Sequence, residues 1–370
     1  MKVLVTGAGV AGLSATITLQ RRGHTVTLIE QAPAVRTTGS PIDVRGDALD
    51  MVREMGIYHE IRAAEISMTV GTEYVDDEGK RIAGFSTRYA NDRPDDIEIP
   101  RPKLMPILAG ALEENTDVRF STTVTELSDN GDSVHVVLSD GTEDDYDLVV
   151  GADGIHSRTR ALVFGPEEDY VNFLGVYVVL APVGPPAPAG TPGQMHLAPG
   201  RMLSLLQTPS EEIVAGYFRS PKLDIDYRDQ AAVHEVLRSV YRDDVWRIQE
   251  LVARMGESDG LYFDECGQTK MPAWSKGRVV LVGDAAHCAS PLSGRGTSLA
   301  ISGSYFLAEA LEKHPNDHAA AFAEYEKRQC PYVDRAQAGV EGSIDRNVPA
   351  TAEAIAAYLQ EVRELEASRL

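Results

Sequence analysis

Val3-Leu4-Val5-Thr6-Gly7-Ala8-Gly9-Val10-Ala11-Gly12, closed by Thr25-Val26-Thr27-Leu28-Ile29-Glu30, decides the fold. Residues 2–6 are a short β-branched run, the glycines break it, and a helical stretch follows from about 10 to 22. A second strand over 25–30 makes a strand–helix–strand unit, which requires a parallel sheet with a right-handed crossover. The glycines are spaced Gly7-x-Gly9-x-x-Gly12. The first permits the tight turn, the second lets backbone approach a diphosphate, and the third lets helix and strand pack closely. The diphosphate would rest on the helix N-terminus, where Val10 and Ala11 present N–H groups and the macrodipole favours negative charge. Glu30 ends the second strand where a carboxylate can accept from a ribose diol, with Gln31 beside it. This pattern alone does not separate FAD from NAD.

The 370 residues imply two or three structural units with a sizeable core. A further helix is expected over 46–64, and alternating segments at 68–75 and 81–85. A helix from Arg101 to about Glu114 carries Pro102 in its first turn, where a missing N–H costs nothing. Segments 117–128, 132–139 and 143–150 form a meander with turns at Asn130-Gly131 and Asp140-Gly141. Short strands over 172–219 surround a Pro- and Gly-rich tract, helices follow at 229–239 and 243–253, and strands near 260–269 and 278–282. From about 294 the chain is mostly helical.

Composition bounds the function. Apolar residues at 43% and charged residues at 25% are those of a globular protein. A net charge of -21 repels phosphate backbones and anionic lipid surfaces, which excludes nucleic acid and membrane docking. Cys266, Cys288 and Cys330 are sparse and odd in number, which fits a reducing cytoplasm. No run approaches the length of a membrane span, so a cytoplasmic protein is expected. No HExxH, CxxC or two-His-carboxylate pattern calls for a metal.

Three further segments carry a resemblance. Gly151-Ala152-Asp153-Gly154-x-x-Ser157-x-x-Arg160 and Val282-Gly283-Asp284-Ala285-Ala286-His287-x-x-x-Pro291-x-x-Gly294-x-Gly296 look like the "DG" and "GD" motifs of group A flavoprotein monooxygenases. That family holds the relatives of para-hydroxybenzoate hydroxylase and the tetracycline-degrading monooxygenases. Arg101-x-x-Leu104-x-x-x-Leu108 is similar to a segment the family sets beside the flavin, and the likeness runs in order over residues 1–330. It implies a Rossmann-like FAD-binding domain, a parallel sheet with a β-meander, built from 1–66, 101–165 and 270–345. A second, mostly antiparallel sheet from 67–100 and 166–269 would hold the substrate, and 346–370 would be a C-terminal helix.

The resemblance implies non-covalent FAD, with NADPH or NADH as a transient reductant at the surface. It implies O2 addition to give a flavin C4a-hydroperoxide, and hydroxylation of an aromatic or polycyclic, aromatic-like small molecule. Cofactor contacts are then expected from Gly7, Gly9, Val10, Ala11, Gly12, Glu30, Gln31, Arg36, Gly39, Arg101, Val124, Asp153, Gly154, Asp284, Pro291, Gly294, Gly296 and Thr297. Asp153 would lie between cofactor and reductant, or else serve as a turn former. Asp284 would bind a ribityl hydroxyl and start the next helix. His287 is expected to pack rather than to act as a base, and covalent attachment through Cys288 is conceivable but not expected. No catalytic base is named. His196, Gln207, Tyr217 and Arg219, with Met195 near them, are candidates to line the substrate. Three positions depart from the family pattern: Ser298 replaces an asparagine, Gly303 an aspartate and Arg295 a glutamine. Arg295 could stabilise a reduced flavin, bind an acidic substrate or face solvent. The competing functions are a flavin dehydrogenase or reductase of related fold and a non-enzymatic FAD-binding protein. A monomer or a homodimer is expected.

Overall fold

The computed structural model describes residues 1–36, 41–66, 71–85 and 93–368. Strand β1 (Lys2–Thr6), helix α1 (Val10–Gln20) and strand β2 (Thr25–Ile29) form the expected crossover, with β1 and β2 parallel in the register Val5 to Leu28. Helix α1 is buried on all sides from Ala11 to Gln20, as a helix must be when it lies between a sheet and another helix.

Strand β3 (Pro41–Val44) precedes α2 (Ala48–Glu54) and α3 (Tyr58–Ala63), two short helices where one over 46–64 was expected. The break falls at Gly56, whose φ of +74° suits glycine and ends a helical run. Strands β4 (Thr72–Val75) and β5 (Arg81–Phe85) pair antiparallel, while β6 (Ile97–Pro100) pairs instead with β3. Residues 97–100 therefore stand with β3 and not with β4 and β5, the strands they were grouped with by sequence. Helix α4 (Arg101–Gly110) starts at the expected residue.

Strand β7 (Asp117–Arg119) joins the parallel sheet beside β2, Leu28 opposite Val118, where a meander strand was expected. The meander itself is β8 (Val124–Asp129), β9 (Val134–Leu138) and β10 (Glu143–Tyr146), and β11 (Leu148–Gly151) then enters the parallel sheet beside β1. After α5 (Arg158–Val163) come β12 (Val171–Gly184), β13 (Gly193–Ala198), β14 (Arg201–Gln207) and β15 (Glu212–Arg219). Helices α6 (Gln230–Val240) and α7 (Ile248–Gly256) lead to β16 (Tyr262–Thr269). These strands build a seven-stranded sheet, order β16-β12-β15-β14-β13-β4-β5, antiparallel except at β13–β4.

Strands β17 (Ser275–Lys276) and β18 (Val279–Leu281) complete the first sheet, order β17-β18-β11-β1-β2-β7. Helices α8 (Asp284–His287), α9 (Gly296–Lys313), α10 (His318–Ala338), α11 (Val340–Asn347) and α12 (Ala352–Ala367) follow. Side chains alternate along a strand, so the second sheet has two distinct faces. Tyr177, Val179 and Ala181 of β12 pack with Val233, Leu237, Leu251 and Met255 of α6 and α7. Val176 and Val178 face the other way and pack with Leu292, Val340 and Ile344. Among the described residues no helix is long and apolar enough to cross a membrane.

Candidate cofactor and active site

The three glycines of the first turn have different reasons to be glycine. A Cβ on Gly7 (φ +94°) would lie 2.6 Å from the Ala152 carbonyl oxygen, and one on Gly12 would lie 1.8 Å from the Gly7 oxygen. A Cβ on Gly9 would meet no protein atom within 4 Å. The protein itself accounts for the first and third glycines, whereas Gly9 leaves space directly before α1. No side chain caps α1, and no acid occupies its first turn, so the N–H groups at Val10 and Ala11 remain available to an anion. Glu30 accepts from the backbone N–H of Ala8 and of Ala32, both at 2.7 Å. Those bonds fix its carboxylate at the end of β2, and each oxygen keeps acceptor capacity for a diol. Gln31 is exposed beside it.

The Asp153 carboxylate accepts from Ser157 Oγ at 2.5 Å, Thr159 N at 2.8 Å and Thr159 Oγ1 at 2.9 Å. It therefore organises the start of α5 and the Gly154 turn (φ +83°). Buried Arg160 donates to the Ile155 and Ala285 carbonyls, tying this segment to α8. Val124 opens β8, and its carbonyl accepts from Arg158 Nε at 2.5 Å.

His156, in the turn between β11 and α5, bonds Glu167 at 3.0 Å and Asp264 of β16 at 3.4 Å. Asp264 and Glu167 push its pKa up to about 10 from an ordinary 6.5, although its side chain is 49% exposed. A raised histidine pKa stabilises the fold fully below pH 6.5, and the contribution disappears as pH rises through about 10. His156→Gln should therefore melt below the native protein at pH 6, and the gap should close between pH 6.5 and 10. Exposure to solvent keeps that gap small. Melting curves across this range test it, and a gap that widens with pH would refute the ion triad.

From Val279 to Ser290 every residue is buried except Asp284, whose carboxylate is turned out of the core. Surrounding protein raises its pKa, opposed by a bond from Cys288 and by the charge of Arg101. Arg101 is held down by burial and by the neighbouring Arg36, and its buried Nε has no hydrogen-bond partner. Arg36 lies over the Tyr262 ring, 5.0 Å from its centroid, and Tyr262 donates to Asp264 at 3.0 Å. Gly39 lies outside the described residues. The α8 segment is clamped: Thr269 donates to the Asp284 carbonyl at 2.8 Å, and Gln337 Nε2 to the carbonyls of Thr269 and Cys288. Cys288 Sγ donates to the Gly267 carbonyl, and burial drives its thiol pKa well up, so it is an inert thiol. His287 packs tilted against Trp274, ring centroids 4.7 Å apart, and is pushed down to about 3 by burial. It packs as a neutral ring, as expected.

The loop after α8 is tightly wound, with Ser290 at φ +80° and Gly294 at φ +62°. Pro291 is exposed, Thr297 is half-buried in the first turn of α9, and a Cβ on Gly294 or Gly296 would meet no protein atom within 4 Å. The departures at Ser298 and Gly303 have structural reasons. Ser298 Oγ accepts from Arg45 N at 3.0 Å and so ties α9 to the end of β3. A Cβ on Gly303 would press on His287 at 3.3 Å and Gln329 at 3.4 Å. Gln329 is fully buried and bonds Ser302 and the Leu299 carbonyl, so an aspartate would not fit beside it.

Only Tyr217 among the four substrate candidates packs in the same cluster as Leu292. His196 stacks on Trp246 and bonds Asp77 at 3.0 Å, on the opposite face of the sheet from Met195. Gln207 bonds Glu212, which Arg254 of α7 holds. Arg219 is spent on the Val348 carbonyl and Asp345. Alternation and strand order explain these placements: β13 lies four strands from β16. Leu292, Tyr262 and Ile344 are the residues that join Tyr217. They come from three distant segments, and no spacing in the sequence marks them.

The comparisons agree with this geometry. A family model described as an FAD binding domain matches residues 1–336. An uncharacterized protein of Mycobacterium tuberculosis (strain ATCC 25618 / H37Rv) is 37% identical over 354 residues, covering 94% of each chain. A flavin-dependent monooxygenase of Legionella longbeachae serogroup 1 (strain NSW150) is 36% identical over 345 residues, covering 91% of this chain and 87% of that one. The crystal structure of tetracycline destructase Tet(55) superposes with a TM-score of 0.84 at 33% identity, covering 98% of this chain and 94% of that one. With space before α1 at Gly9, an exposed Asp284 and a buried Arg101 Nε without a partner, the chain belongs to the FAD-binding-domain family and is a group A, FAD-dependent monooxygenase.

Proposed function

We propose that this enzyme takes electrons from NADH or NADPH and uses O2 to hydroxylate an aromatic or polycyclic, aromatic-like small molecule. The observation that carries the reading is the apolar, aromatic face of the second sheet set against the 291–296 loop: Val178 and Tyr217 pack with Leu292, and Ile344 of α11 closes the cluster. Apolar packing of this kind beside the loop favours a flat, weakly polar ring system as the neighbour of the flavin.

The residues that would hold FAD are the Gly7–Gly12 turn with Val10 and Ala11 for the diphosphate, and Glu30 with Gln31 for the ribose. Arg36, Arg101, Asp153, Gly154, Asp284 and Val124 would complete the cradle. Pro291, Gly294, Gly296 and Thr297 would lie along the ring edge. Bound FAD supplies hydride acceptance and activation of oxygen. The chain's own work is to orient and to keep water out. Clamping of α8 by Thr269 and Gln337 holds Asp284 in place, and neutral His287 stays in the core. On this reading 1–66, 101–165 and 270–345 serve the cofactor, with β6 beside β3, and the β12–β16 sheet serves the substrate.

The purified enzyme should be yellow, with about one FAD per chain, and should oxidise NAD(P)H slowly alone and faster with a true substrate. A panel of phenols, aminophenols, quinolones and polyketides, followed by nucleotide oxidation and product mass, tests it. The product should gain one oxygen atom from labelled O2. Turnover that proceeds equally well without oxygen would make the enzyme a dehydrogenase, and oxygen drawn from water would refute the oxygenation.

A further inference from the structure

A cavity of about 600 Å3 opens beside the same loop, between the start of α9, the start of α2 and one side of α10 and α11. Arg45, Arg93, Arg295, Arg335 and Arg346 line it, and Asp47 is the one acid among the described lining residues. A fivefold arginine lining is notable in a chain of net charge -21. Part of it is met locally: Arg45 pairs with Asp43 at 2.8 Å, and Arg93 pairs with Asp47 and Asp50. Arg335 and Arg346 are exposed, and among the described residues neither has a carboxylate in ion-pair contact; Arg346 donates to Ser343 Oγ at 3.3 Å. Asp345, next to Arg346, is turned to Arg219. Behind the wall lie Asp43, Asp50 and Asp96, the last accepting from the N–H groups of Gly46 and Arg93, while the wall itself holds five arginines and one acid among the described residues.

We infer that this cavity binds the phosphates of the nicotinamide nucleotide that reduces the flavin; the inference rests on the reductant named in the proposed function. A nucleotide diphosphate is a polyanion, and the field of an acidic protein repels it except where the local sign reverses. Arginine matches phosphate geometry, because its planar fork donates two parallel bonds. The hydroxyls of Ser293 and Ser343 also line the wall, donating to the carbonyls of Ser290 and Gly339. Loop 291–296 connects the two regions: Ser293 and Arg295 face the cavity, and Leu292 faces the apolar cluster. A nucleotide held by its phosphates in the cavity thus lies against the loop that borders the reaction site. Arg295 belongs to the cavity wall.

The test is the double variant Arg335→Gln/Arg346→Gln in the FAD-loaded enzyme. Both residues are exposed, so FAD content and melting temperature should match the native enzyme. Calorimetric titration with NAD+ and NADP+, which bind without electron transfer, reads the cavity directly. The dissociation constant of the preferred nucleotide should rise about 100-fold in the double variant, and about 10-fold in each single one, two charge-assisted contacts being lost. KM for the reduced nucleotide should rise in parallel, with kcat held within about twofold because no transition-state contact is removed. Native binding should also weaken steeply with salt. Unchanged nucleotide binding and KM in the double variant would overturn the inference while leaving the monooxygenase reading in place. A rise confined to KM of the organic substrate would overturn it too, and would assign the cavity to an acidic substrate. If the native enzyme oxidises neither nucleotide, the reductant reading falls; a native enzyme that binds neither NAD+ nor NADP+ overturns the cavity assignment whatever reduces the flavin.

Discussion

A Gly12→Ala protein will lose both FAD and much of its stability, whereas Gly9→Ala will keep its stability and lose only the cofactor. The two substitutions add the same methyl group three residues apart, but the surroundings differ. At Gly12 the new Cβ would fall 1.8 Å from the Gly7 oxygen, so α1 must move off β1 and the turn must reopen. Overpacking of this kind costs about 1–3 kcal/mol and more where backbone is the obstacle. At Gly9 the backbone is extended, φ −77° and ψ −173°, a conformation alanine adopts freely, and no protein atom lies within 4 Å. The methyl would instead stand where the diphosphate approaches. Losing one charged hydrogen bond there removes about 1.5–3 kcal/mol, which is about 10- to 150-fold in affinity. Thermal melts of the apoprotein and FAD titrations separate the cases. Equal FAD affinity in native and Gly9→Ala proteins would show that the cofactor does not lie on α1.

Asp284→Ala should lower FAD affinity about 10- to 150-fold, the worth of one charge-assisted hydrogen bond, while the melting temperature of the apoprotein stays near native. The reason is the direction of the side chain: its neighbours from Val279 to Ser290 are buried, and Asp284 alone points out of the core. The backbone role of the residue survives the change, because Thr269 bonds its carbonyl and not its carboxylate. Asp284→Asn keeps a hydrogen-bonding group without the charge and should fall between the two. Unchanged FAD binding in Asp284→Ala would show that the residue only starts α8.

The cofactor half of this protein was legible because its determinants are local. Gly7, Gly9, Gly12 and Glu30 lie within one strand–helix–strand unit, and the backbone there has few ways to turn. The "DG" and "GD" segments likewise carry their meaning in short runs. The "DG" run closes on itself through bonds of short sequence separation, from Ser157 and Thr159 to Asp153. Helix ends were less legible: Gly56 split one expected helix into α2 and α3, because a single residue at positive φ ends a helix that periodicity would continue.

The substrate side was not legible, since which face of a strand meets the cofactor depends on register and on what packs against it. A one-residue step reverses the face, and that reversal separates Met195 from His196. His196 and Gln207 looked like lining residues by their chemistry, yet they serve Asp77 and Glu212. The pairing of β6 with β3, the joining of Leu292, Tyr217 and Ile344, and the gathering of five arginines from four separate segments are all long-range events. Sequence alone therefore determined the nucleotide turn, the cofactor motifs and the fold class, because these rest on local backbone geometry. Tertiary structure decided the apolar cluster around Leu292 and the arginine cavity, because only folding brings together side chains so far apart in the chain.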